Sequence, residues 1–109
     1  MACEMDKYTY RVTWSEEDEE FVGLCAELPS LSWLATTAEK ALKGIRSMVQ
    51  ECVDDMAQNG EEIPTPISIR KYSGKFMVRV PPEVHRHLAV EAAESGVSLN
   101  RIASAKLAH

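Results

Sequence analysis

The tightest constraint on this chain lies in its last third. Lys75, Met77 and Arg79 alternate there with Phe76, Val78 and Val80. A period of two puts the first set on one face of a strand and the second set on the other. Pro81 and Pro82 follow at once, where a helix start tolerates proline because its N–H groups have no partner anyway. The helix predicted over PEVHRHLAVEAAES has Val84, Leu88, Ala89 and Ala92 on one side and ends at Gly96. Ser98 can cap a second helix, LNRIASAKLA, with Leu99, Ile102, Ala103 and Leu107 facing inward.

One strand and two short helices cannot bury a sufficient core, and a lone strand leaves its backbone groups unpaired. Dimerisation resolves both problems. Two copies of residues 74–80 paired antiparallel about a two-fold axis would lay Phe76, Val78 and Val80 over four helices. Val84, Leu88, Leu99 and Ile102 join them in the expected dimer core. Lys75, Met77 and Arg79 would then form a compact basic ribbon of a size that fits the major groove of B-DNA. Lys75 or Arg79 could bond guanine O6 and N7, and Met77 offers an apolar contact to a thymine methyl. Ser98, with the N–H groups of Leu99 and Asn100, is the expected phosphate clamp. The competing arrangement is an edge strand docked on the N-terminal sheet with its charges outward. It leaves the two helices unexplained.

The first two-thirds reads differently. Residues 7–14 alternate as a strand. SEEDEE (Ser15 to Glu20) is an acidic hairpin connection, FVGLCAEL (21–28) a more buried strand, and LSWLAT (31–36) a third. Thr36 with Glu39 matches a capping box. Ala38, Ala41, Leu42, Ile45, Met48, Val49, Cys52, Val53 and Met56 then draw one apolar helical stripe, stopped by Asn59 and Gly60. Three strands and a long amphipathic helix make a two-layer α+β unit. Residues 61–74 read as a connector with a short edge strand at Ile67–Arg70, which places the domain boundary after residue 70.

The net charge of -5 hides a division. Residues 1–69 hold five basic and fourteen acidic residues. From Arg70 onward there are seven basic residues and three acidic ones. Unless small domains simply scatter charge this way, the acidic part suits a basic protein and the basic part a polyanion. The three cysteines, Cys3, Cys25 and Cys52, are odd in number and widely spaced, as expected of free thiols in a reducing cytoplasm. No leader or membrane span is expected, and neither is a metal site or a cofactor. The strands carry almost no acids, His85 and His87 lie two apart on a helix, and no nucleophile has a base at recognisable spacing. The chain therefore reads as a binding protein and not an enzyme.

GKFMVRVPPEVHRHLAVEAAESGVSLNRIASAKLA, with its SGKF-V-RVPPE-H approach and GVSLN turn, resembles the ribbon–helix–helix domain that closes many HicB antitoxins. The N-terminal part resembles, more loosely, the partial RNase H-like α+β half of that family. ELPSLSWLATTAEKALKGI stands there in place of the family's Pro-Gly turn and threonine-capped helix, with Ser30 and Leu31 replacing the usual small turn residues. The resemblance implies a toxin-binding domain over residues 1–70 and a dimerising, DNA-binding domain over 71–109. It implies an antitoxin of a type II toxin–antitoxin system with two partners. One is a HicA-type RNA-cleaving toxin, small and basic. The other is operator DNA with an inverted repeat, bound by a homodimer that could pair further into a tetramer. It places base reading at Lys75, Met77 and Arg79 and phosphate contact at Ser98 to Asn100. An orphan regulator, keeping the DNA-binding tail without a cognate toxin, is the alternative.

Overall fold

The computed structural model describes residues 4–108. The chain divides after Tyr72 into two compact units. The first begins with a 3-10 turn at Glu4–Lys7 and continues into β1 (Tyr10–Ser15), β2 (Glu20–Cys25), β3 (Ser32–Ala35) and α1 (Ala38–Gln58). The sheet is antiparallel in the order β1-β2-β3. The acidic segment is the β1–β2 hairpin connection, with Ser15 opposite Glu20 and Glu19 in a left-handed conformation at φ 53°. β1 starts later than the predicted strand because residues 4–7 coil into the 3-10 turn.

The placement of α1 follows from the glycine at the centre of β2. A Cβ on Gly23 would lie 2.5 Å from the Ala41 carbonyl oxygen and 2.8 Å from Ile45 Cγ2. The helix backbone therefore rests directly on the strand. On the helix, a Cβ at Gly44 would overlap the Trp33 indole, so the ring packs directly against that glycine. Tyr8, Cys25, Ile45 and Val49 form the buried core, with Tyr10, Leu28, Leu31, Met48 and Val53 packed around it. Of the predicted stripe, Ala41, Ile45 and Val49 are fully buried and Leu42 stays partly exposed. Trp14 stacks edge-on against Phe21 with 5.1 Å between ring centroids.

Two local expectations need correction. The N-cap of α1 is Thr37, not Thr36: Thr37 Oγ1 accepts the Lys40 N–H, and the box with Glu39 does not form. A capping box would require an acid at the position Lys40 occupies. Secondly, Ile67–Ile69 is a 3-10 turn, not an edge strand. Pro64 and Pro66 precede it, and a segment that has lost these N–H groups is poorly suited to a ladder. The Ile69 N–H instead bonds the Pro66 carbonyl, and the Arg70 N–H bonds that of Ile67.

The second unit holds α2 (Pro82–Ser95) and α3 (Leu99–Leu107). Pro82 is the first helical residue, and Gly96 at φ 67° ends α2 in the left-handed conformation. The Val97 N–H bonds the Ala92 carbonyl there. Ser98 caps α3, its Oγ accepting the Arg101 N–H at 3.1 Å. Lys106 Nζ pairs with Glu91 Oε2 at 3.3 Å, tying the two helices.

Candidate functional site

In residues 73–80, Gly74 takes φ 84°, and the Lys75 N–H donates to Ser73 Oγ at 3.1 Å. Residues 75–80 belong to no helix and to no strand, so the expected strand has no ladder within the chain. Lys75, Met77 and Arg79 are exposed, and so are Phe76, Val78 and Val80. Phe76 keeps 76% of its surface accessible and Met77 85%. An apolar set left exposed beside the basic set is unusual for a finished surface.

The helices behind this segment are no better filled. Val84 is exposed, while Leu88, Leu99 and Ile102 are half-buried. Among the described residues of this unit only Ala92 is buried. A shallow groove between α2 and α3 is lined by Glu83, Val84, His87, Leu88 and Lys106. At the start of α3, Leu99 and Asn100 lie in the first turn, where backbone N–H groups have no acceptor within the helix. The Ser98 hydroxyl faces the same turn. The residues of the expected phosphate clamp thus lie together at the α3 cap, where Ser98 Oγ accepts the Arg101 N–H. The predicted base readers lie on one short, exposed segment outside the helices.

Sequence reading missed a group in the first unit. Glu27 is the lone acid in the run FVGLCAEL, and its carboxylate gathers donors from two distant segments. Oε1 accepts the Thr9 N–H at 2.9 Å, and Oε2 accepts the Ile67 N–H at 2.8 Å and the Thr9 hydroxyl at 3.2 Å. Partial burial alone would raise the carboxyl's pKa. The backbone N–H groups of Ile67 and Thr9 outweigh that and hold it below the ordinary glutamate value. Tyr8 Oη donates to the Pro64 carbonyl at 2.7 Å and Ser68 Oγ to that of Lys7 at 2.6 Å, so residues 64–68 are strapped to the start of β1. Arg70 Nε also donates to the Thr65 carbonyl, and Tyr72 Oη to that of Ile67. The signal available in sequence was one acid inside an apolar strand end.

Cys25 is buried, and that burial pushes its thiol pKa up; Cys52 is half-buried and also free. Cys3 lies outside the described residues. Arg46 forms an ion pair with Asp6 and lies over the Tyr10 ring, 5.3 Å from its centroid. Burial nonetheless raises the Tyr10 pKa. Among the described residues no group of three or more His, Cys, Asp or Glu is placed to hold a metal ion, and no helix is long and apolar enough to cross a membrane.

These features describe an α+β chain in which an acidic sheet-and-helix unit is joined to a basic helical pair that leaves its own apolar side chains uncovered. The family model matching this chain is that of the HicB family, over residues 58–107, which takes in the strap and nearly all of the second unit. The match spans 50 of the chain's 109 residues and shows what that part of the chain is similar to. No curated protein and no solved structure matches the chain.

Proposed function

We propose that this protein is the antitoxin of a type II toxin–antitoxin pair, acting by binding and not by catalysis. Its acidic first unit, a partial RNase H-like domain, neutralises a HicA-type RNA-cleaving toxin in the cytoplasm. Its second unit forms a ribbon–helix–helix homodimer that represses the operon.

One observation carries the second half of this reading. Phe76, Val78, Val80 and Val84 are all exposed in a unit where only Ala92 is buried among the described residues. A second copy supplies both the missing ladder and the missing core, as antiparallel pairing of residues 74–80 requires. The family match falls on the same residues. Pairing turns Lys75, Met77 and Arg79 outward twice over, with Ser98, Leu99 and Asn100 against the phosphates.

The test is a mobility shift on the DNA upstream of the gene, with and without Arg79→Ala. The expected outcome is loss of specific retention with the dimer and the toxin complex intact, since a bidentate guanine contact carries about 1–3 kcal/mol of discrimination. Unchanged operator affinity in Arg79→Ala would remove the ribbon from this account.

A further inference from the structure

The sheet of the first unit has a second face. Gly23 touches α1, so the two-residue period and the pairing register put Tyr10, Val12, Trp14, Phe21, Cys25, Trp33 and Ala35 on the helix side. Arg11, Thr13, Val22, Leu24, Ser32 and Leu34 therefore share the opposite side. Within the first unit α1 is the only described helix packed on the three strands. Val22 and Leu24 on the central strand and Leu34 beside them, 44% accessible, form an apolar centre with Thr13 and Ser32 at its margins. A strand rise of about 3.4 Å and a strand spacing of about 4.8 Å make the patch roughly 7 by 10 Å between backbone positions. An apolar centre in an interface needs a polar rim.

The rim at one end is the β1–β2 turn. Glu16, Glu17, Asp18, Glu19 and Glu20 are consecutive, and none forms an ion pair among the described residues. Ser15, on the open side, fixes Asp18 through its Oγ at 2.8 Å without neutralising it, while Trp14 Nε1 holds Glu16 at 2.6 Å from the helix side. Arg11, the one cation on the face, pairs across to Leu24, at the end away from the turn. Five uncompensated like charges repel one another and a second copy of the same surface, and they attract a cationic one.

We propose that this open sheet face is the docking surface for a basic protein. Val22, Leu24 and Leu34 would form its apolar centre, and the acidic turn would meet the partner's cations. The proposal rests on the antitoxin reading above and names the face on which that partner sits.

The test titrates the purified HicA-type toxin into the full chain and into two variants. Leu34→Asp removes the apolar centre. Thr13→Arg blocks it from an exposed position that contributes nothing to the core. We expect each variant to bind at least thirtyfold more weakly, with unchanged thermal unfolding and unchanged operator retention. Glu17→Gln with Glu20→Gln should weaken binding several-fold at low salt and match the wild type at high salt. Wild-type affinity in both Leu34→Asp and Thr13→Arg would overturn the proposal while leaving the antitoxin reading standing. A change in oligomeric state of these variants without toxin would overturn it in favour of a second copy on the face. No binding by the wild-type chain would remove the antitoxin reading itself, and the assignment of this face with it.

Discussion

Replacing Glu27 with glutamine tests whether one carboxylate joins the exit segment of the first unit to its sheet. In the native chain this carboxylate accepts the Ile67 N–H at 2.8 Å, the Thr9 N–H at 2.9 Å and the Thr9 hydroxyl at 3.2 Å. Hydrogen bonds to a charged acceptor contribute about 1.5–3 kcal/mol where they are desolvated. Only the Ile67 bond is partly buried; the Thr9 bonds face solvent, where water replaces a lost acceptor at little cost. Glutamine keeps one carbonyl acceptor, so the expected loss is roughly 2 kcal/mol. For a unit of this size that corresponds to a fall of roughly 8–16 °C in melting temperature. Both tryptophans, Trp14 and Trp33, lie in the sheet of the same unit, so fluorescence reports its unfolding separately from the tail.

The pH dependence supplies a second arm. The folded-state pKa of Glu27 is depressed. Its contribution is therefore fully present above the unfolded glutamate value of about 4.3 and is lost as the pH falls through the folded value. The gap between wild type and Glu27→Gln should be constant near neutrality and close progressively in acid. A Glu27→Gln melt within about 0.5 kcal/mol of wild type at neutral pH, the range of an ordinary surface substitution, would refute the strap. So would a gap indifferent to acid.

Gly23→Ala should destabilise the first unit by about 1–3 kcal/mol, because its Cβ meets the backbone oxygen of Ala41 as well as the Ile45 side chain, and the backbone oxygen cannot turn aside. Urea unfolding followed by tryptophan fluorescence measures it. Thr37→Ala should cost about 1 kcal/mol through loss of the α1 cap, while Thr36→Ala stays within about 0.5 kcal/mol, in the same assay. Val78→Asp should yield a monomer by sedimentation at concentrations where the wild type is dimeric, and operator binding should be lost with it.

Much of the fold was legible because its signals are local. The α1 stripe, the Asn59–Gly60 stop, the acidic hairpin turn, the helix start at Pro82 and the Ser98 cap each follow from a few neighbouring residues. The errors arose where local patterns were degenerate or partners distant. Thr36 and Thr37 are equivalent as letters, and only the extended backbone of Thr37, φ -128° and ψ 154°, makes it the cap. ISIR alternates like a strand, but proline chemistry and the bond from Ile67 N–H to a glutamate forty residues earlier decide its shape. No periodicity reports such a bond. The open face of the sheet was equally hidden, because alternation shows that a strand has two faces but not which one a helix covers. Gly23 decides that, by admitting the α1 backbone.

The division of the chain also changes how its charge acts. Arg70 and Lys71 fall within the first unit, where Arg70 is tied to the Thr65 carbonyl. The first unit then holds seven basic and fourteen acidic residues, and the second only five basic against three acidic. A tail with so small an excess cannot draw DNA by net charge, and the whole chain at -5 would be repelled. On the proposed reading affinity would come from position: Lys75 and Arg79, doubled in a ribbon, would act within a Debye length of about 8–10 Å, beyond which charges are largely screened. Under the proposed function, pairing would do more than complete a core. It would concentrate positive charge in one place for a polyanion, and would tie DNA recognition to dimerisation through electrostatics as well as through packing.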